Sequence, residues 1–339
     1  MAAGGDPAGT RLEKRKAPAV SDLLDDYLSG HVAKKNKAST EDHAKRLVDK
    51  ILRPALGKLK VADVTIADVE RFHSAMSATP YDANRALAAL SKAFTLADGW
   101  NMRPDHTNPC KKVERFEEKS RERFLSAAEF AVLGEALARA DRGELTIPND
   151  KGEDRASHVN PEAVRAIRLL IFTGMRTGAV LGLRWEHIDF ENARANLPDS
   201  KTGWKPVQLP APALELLARA DRPASGRGYV IRGGDASDHE TPLVNLKDPW
   251  GILRKAAGLA DVRPHDLRHA FASVAVAHGM SLPMIGALLG HRDTRTTQLY
   301  AHLADDQQKV AANQVAARIA EAMDSPKGGA EVVSITRKR

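Results

Sequence analysis

The chain has 339 residues, 42% of them hydrophobic, and 51 Lys and Arg against 44 Asp and Glu for a net charge of +7. That length suits two domains of common size rather than one small core, and the basic balance admits a polyanionic partner without demanding one. The single cysteine, Cys110, excludes an internal disulfide and a Cys-rich zinc site, and no run of eighteen apolar residues or hydrophobic signal core is present; the expectation is a soluble cytoplasmic protein with no membrane partner.

Residues 1–18 combine Gly, Ala and Pro with R-L-E-K-R-K and read as a disordered basic tail. From Ser21 to Trp100 the pattern is helical, with start signals at Ser21, at Ser39 or Thr40, and at Thr65 with Asp68 three residues on. The apolar faces are Leu23, Leu24, Tyr27 and Leu28; then Ala44, Leu47, Val48 and Ile51; then Val69, Phe72 and Met76. A fourth helix from about Tyr81 to Asp98 carries Leu87, Leu90 and Phe94, with Gly99 as its C-cap. Residues 1–120 hold 21 Lys and Arg against 17 Asp and Glu, so this part is basic only locally, around Lys34, Lys35, Lys37, Lys45 and Arg46. Those five are the candidate phosphate contacts, each weighed evenly against an ordinary solvated surface.

Asn108 to Ser120 is polar, charged and aperiodic, which predicts a linker. Ser126 then caps a helix through Phe130, Leu133 and Leu137, with Glu129 at the capping-box position. Residues 140–160 read as a polar insertion, and Asn160-Pro161-Glu162 as N-cap, N1 and first-turn acid of a helix that ends at Thr173-Gly174. Arg176 opens another helix, and Arg184 to Pro210 is the one strand region the pattern supports, with a turn at Lys201-Thr202-Gly203. Helices follow over about Pro212–Arg219 and Pro242–Ala257, and a last one over Asp305–Met323 presents Val310, Ala311, Val315 and Ile319 before a disordered basic end. The fold class is therefore mainly α with a small antiparallel β-sheet.

The chemistry gathers between His265 and Tyr300. H-D-L-R-H-A-F-A-S sets His265 and Arg268 one turn apart on a helix whose apolar stripe is Leu267, Phe271, Val274 and Ala275; L-L-G-H brings His291; and T-T-Q-L-Y-A-H brings Tyr300 nine residues later. A cation, imidazoles and a phenol in 36 residues are the groups needed to attack a phosphodiester with a protein hydroxyl. His269 and His302 are set aside for packing or capping, the first as pointing about 100° away from His265.

This stretch resembles the tyrosine recombinase (phage integrase) family, which carries an H-x-x-R box, a G-H or G-W dipeptide and a tyrosine nine residues beyond. Two further pieces stand upstream in order: T-G-M-R at Thr173–Arg176, similar to the first arginine box, and D-S-K-T-G-W-K-P-V-Q-L-P, similar to the hairpin that presents a catalytic lysine, here Lys201. Four ordered boxes are specific where one would not be. The resemblance implies a helical core-binding (SAM-like) domain and an α+β catalytic domain, divided as tail 1–18, core-binding 19–105, linker 106–123, catalytic 124–324 and tail 325–339. It implies that Tyr300 is the nucleophile, that Arg176 and Arg268 clamp the phosphate, and that Lys201 protonates the leaving oxygen. It further implies that His265 assists proton transfer and that His291 hydrogen-bonds the phosphate or the nucleophile. No cofactor or metal is implied. The implied partners are double-stranded DNA with specific recombination sites, a monomer in solution that becomes a homo-tetramer on synapsed DNA, and accessory DNA-bending or directionality factors. One departure is Ala179, where the family usually has an acid three residues after the first arginine. The rival readings are a catalytically quiet DNA-binding regulator and a type IB topoisomerase-like enzyme.

Overall fold

A computed structural model describes residues 17–324, apart from 37, 105, 119–120, 122, 150, 199–204, 235–238 and 292. The two expected tails, Lys37 and Lys201 therefore lie outside the described residues, apart from residues 17 and 18. The chain divides into two compact units, residues 1–121 and 122–339.

In the first unit, helix α1 is α-helical over Val20–Asp26, widens to π geometry over Tyr27–Val32 and returns to α over Ala33–Lys35. It begins one residue before Ser21: the Asp22 carboxylate accepts from the Ala19 backbone N–H at 2.8 Å, so an acid in the first turn does the capping. Helix α2 repeats the form, α over Ala38–Leu47, π over Val48–Leu52 and α over Arg53–Leu56. Helix α3, Ile66–Ser74, is capped by Thr65 and Asp68 reciprocally, and α4 runs Pro80–Gly99 with Trp100, rather than Gly99, as its C-cap. Leu23, Leu24, Val48, Leu52, Val69, Leu90 and Phe94 meet in one core, each contributing about 1.5–3 kcal/mol for a fully buried side chain of this size.

The expected linker does not begin where its composition changes. Asn108 donates to Ser91 O at 2.8 Å and Thr95 Oγ1 at 3.0 Å, Cys110 and Val113 are buried, and Phe116 stacks on His73 at 4.3 Å. Asn84 on α4 pairs with both backbone groups of Phe116, accepting from its N–H at 3.0 Å and donating to its carbonyl at 2.8 Å. A chain crossing a helix face buries side chains at irregular intervals, so its packing leaves no periodic signature.

The second unit starts with α5, Ala127–Arg142, held by the reciprocal Ser126–Glu129 cap and ended by Gly143 in the left-handed region. Within the expected polar insertion lies an unforeseen hairpin, β1 Thr146–Pro148 antiparallel to β2 Asp154–Ala156. Its second strand is exposed throughout, so no apolar alternation marks it. Helix α6, Pro161–Thr173, has Asn160 as N-cap and Gly174 (φ 61°) as C-cap. Short α7, Thr177–Leu181, follows, and a three-stranded antiparallel sheet in sequence order, β3 Ile188–Asp189, β4 Arg194–Leu197 and β5 Lys205–Gln208. Ala195 pairs with Ile188 on one side and Val207 on the other.

Helix α8 spans Ala211–Ala218 and α9 Lys247–Ala256. The latter starts later than Pro242 because the preceding residues pair in extended form, Gly233 N–H with Thr241 O and Leu243 N–H with Ile231 O. Helices α10, Pro264–Ala277, α11, Leu282–Leu289, and α12, Arg295–Gln298, lead to Tyr300, and α13, Asp305–Asp324, closes the described chain. α6 is the hub of this unit, packing against α5, α7, α8 and α10. Val274, expected in the apolar stripe of α10, is exposed. No helix among the described residues is long and apolar enough to cross a membrane.

Candidate active site

Pro264 at N1 and the Asp266 carboxylate, which accepts from the Arg263 backbone N–H at 2.9 Å, fix where α10 begins. That start turns Leu267 and Ala270 into the core, 1% and 0% exposed, and gathers His265, Arg268 and His269 on the remaining face. Arg268 is buried, and its two terminal nitrogens donate to Gly174 O at 2.6 Å and Leu289 O at 2.7 Å. Both carbonyls stand at the C-terminal ends of helices, α6 and α11, where unpaired carbonyls and the helix dipole favour a cation. Burial and the Arg176 charge push the Arg268 pKa down to about 10, which leaves it charged at neutral pH. A guanidinium has five N–H groups, so this anchoring leaves donors for an anion.

Gly174 makes the close approach possible. Its φ is 61°, and a Cβ there would stand 2.7 Å from Phe271 and 2.9 Å from Leu289. The reversal at Gly174 carries the chain to Arg176, the exposed N-cap of α7. Arg176 and Arg268 line one small cavity of about 50 Å³, walled also by Leu197, Pro206 and Val207 of the sheet and by Gly290. Ala179 lines it too, so the wall is apolar where the departure from the expected acid occurs. Lys201 belongs to the β4–β5 connection whose flanking strands form that wall.

His291 follows the left-handed Gly290, and its Nδ1 meets Thr297 Oγ1 at 2.9 Å. Tyr300 is 2% exposed, packed with Ile285, Leu289 and Val276 and facing Phe124 at 6.4 Å between ring centroids. Arg123 fixes Phe124's neighbourhood by bridging Glu129 and Asp261 and holds the Glu129 carboxyl down at about 2. The Tyr300 hydroxyl is hydrogen-bonded to His269 Nδ1 at 2.8 Å. His269 in turn meets the His265 ring edge to face, centroids 4.9 Å apart. Burial lowers the pKa of both imidazoles, with the Arg268 charge adding to the effect and Asp266 opposing it; for His265, His269 and Arg176 lower it further. Burial raises the Tyr300 phenol, and the Arg268 charge opposes that rise.

The structure thus corrects the exclusion of His269. Four residues on a helix advance about 400°, which is about 40° and not 100° from His265, and His269 is the imidazole that reaches the tyrosine. Its i, i+4 spacing from His265 was signal enough. Of the candidate phosphate contacts, Lys34 and Lys35 are exposed, while Lys45 pairs with Glu41 at 2.7 Å and Arg46 with Asp82 at 3.6 Å. Among the described residues, no group of three or more His, Cys, Asp or Glu is placed to hold a metal ion.

Residues 153–307 match the phage integrase family model. The tyrosine recombinase XerA of Saccharolobus solfataricus is 34% identical over 146 residues, 41% of this chain and 45% of that protein. A tyrosine recombinase of Thermosipho africanus is 26% identical over 302 residues, covering 85% of this chain and 96% of its own. The chain is similar to tyrosine recombinases. A lambda integrase tetramer bound to a Holliday junction has a chain of the same fold, with a TM-score of 0.63 at 19% identity over 87% of this chain and 83% of that one. The chain spans about half the length of the first curated relatives it matches.

Proposed function

We propose that this protein is a tyrosine recombinase that cuts and rejoins DNA at specific sites, for a phage or other mobile element, through a 3′-phosphotyrosyl intermediate. The observation that carries the reading is the placement of the Tyr300 hydroxyl against the face of α10 that also bears His265 and Arg268, with Arg268 sharing a cavity with Arg176. Tyr300 attacks the phosphorus in line, the bond to the 5′ oxygen breaks, and Lys201 supplies the proton that oxygen needs to leave. The ester conserves the energy of the broken bond, so a second strand's 5′ hydroxyl reverses the step with neither a nucleotide nor a metal. Arg176 and Arg268 hold the non-bridging oxygens, where charge accumulates; an arginine supplied to a comparable phosphoryl transition state is worth roughly 10³ to 10⁵ in rate. His291, held by Thr297, hydrogen-bonds the phosphate or the nucleophile.

On this reading the first unit is a core-binding domain with Lys34, Lys35, Lys37, Lys45 and Arg46 toward phosphates, and strand exchange takes place in a tetramer across two sites, the assembly seen for lambda integrase on a Holliday junction. The test is a nicked suicide substrate that traps the covalent adduct. Wild type forms it and Tyr300→Phe does not, while both bind DNA alike, since only the nucleophilic oxygen is lost. An adduct in the Phe variant, or none in wild type, overturns the assignment; cleavage of a lone site at the rate of paired sites points to DNA relaxation instead.

A further inference from the structure

We propose that His269 is the base that receives the Tyr300 proton: its Nδ1 accepts the hydroxyl hydrogen as the tyrosine oxygen bonds to phosphorus. The inference deepens the strand-transfer reading and rests on it. Among the described residues, His269 rather than His265 has a ring nitrogen within hydrogen-bond reach of the phenol, at 2.8 Å. A neutral imidazole has one bare nitrogen and one N–H. A phenol at 2% exposure donates its single hydrogen to whatever acceptor lies in line, so the contact assigns the bare pair to Nδ1 and the hydrogen to Nε2.

The groups facing His269 are His265, Asp266 and Arg268 on its own helix and Tyr300 from the segment after α12. Burial and the Arg268 charge favour the neutral ring and Asp266 opposes them, with the pKa ending below its ordinary 6.5. At neutral pH the ring is therefore an acceptor. Arg268, near enough to act electrostatically on Tyr300, stabilises the negative charge that grows on the phenolic oxygen as its proton departs. The balance closes: the Tyr300 O–H bond breaks toward His269, the O–P bond forms, the bond to the 5′ oxygen breaks, and that oxygen takes a separate proton from Lys201. Rejoining returns both protons. A base standing on the helix that carries Arg268, itself anchored at two carbonyls, keeps proton acceptor and phosphate clamp in fixed register.

The test is single-turnover adduct formation on the nicked substrate across about pH 5.5 to 8.5, the range in which a histidine base titrates. Wild type should slow toward the acid end as the ring takes a proton. His269→Gln keeps an acceptor for the phenol but cannot take its proton, so it should lose roughly 10²- to 10⁴-fold in rate and lose the acid limb, with DNA affinity and thermal midpoint near wild type. His269→Asn serves if the Gln variant folds poorly. A Gln variant with wild-type rate and profile overturns the inference, as does a slower one that keeps the acid limb, and so does faster cleavage by His269→Ala, which would mean that the bond only stores the tyrosine. Failure of the function reading looks different, since wild type itself would then form no adduct.

Discussion

Arg268 does two things with one planar group: it joins the ends of α6 and α11 through Gly174 O and Leu289 O and it presents a cation to the cavity shared with Arg176. A lysine keeps the charge but meets one carbonyl at a time. Arg268→Lys should therefore leave a buried carbonyl unpaired and lower stability by about 1–3 kcal/mol, read as a shifted urea midpoint, and also abolish adduct formation; an unchanged midpoint would show that the fork carries no structural load. The spacing from His265 to Arg268 was enough to single this residue out. Its partners, 94 and 21 residues away, were beyond any local pattern.

At the scale of elements, α11 and α12 are set by a contact between Gly286 and Thr297. A Cβ on Gly286 would meet Thr297 Oγ1 at 2.9 Å, the oxygen that holds His291 Nδ1. Gly286→Ala should displace Thr297 and with it His291, costing about 1–3 kcal/mol as an overpacked contact does and slowing cleavage. Thr297→Ala should slow cleavage through the same lost hydrogen bond, so the double variant should be little slower than Thr297→Ala alone; additive losses would separate the two contacts. Helices announced themselves in the sequence by caps and periodic faces, as at Thr65, Ser126 and Asn160. The strands of the β1–β2 hairpin did not, because an exposed hairpin needs no apolar alternation, and Pro242 misled because the chain there pairs in extended form before α9 begins.

For the whole molecule, α13 leaves Val315, Ile319 and Met323 at 59%, 55% and 79% exposure, a row of large apolar side chains uncovered by its own unit. Such a row marks a surface for a partner, and its place just after Tyr300 ties whatever it docks on to the nucleophile. Truncation after Leu303 should leave single-site binding intact and remove both cleavage and the tetramer on paired sites, measured by adduct trapping and light scattering on DNA. Undiminished cleavage by the truncated chain would show that α13 neither positions Tyr300 nor couples protomers.

Local sequence was enough for the helices with strong caps, for the mainly α class and for the one-turn spacing of His265 and Arg268, because residues within one or two turns fix their own relative directions, and the ordered boxes marked Arg176, His291 and Tyr300. It took the packed fold to show that residues 108–116 lie against α4, that Arg268 spans two helix ends, and that His269 rather than His265 meets Tyr300. Each of these rests on a buried polar group finding a partner far along the chain. Which partner it finds is settled by how whole helices pack, a property that no window of sequence contains.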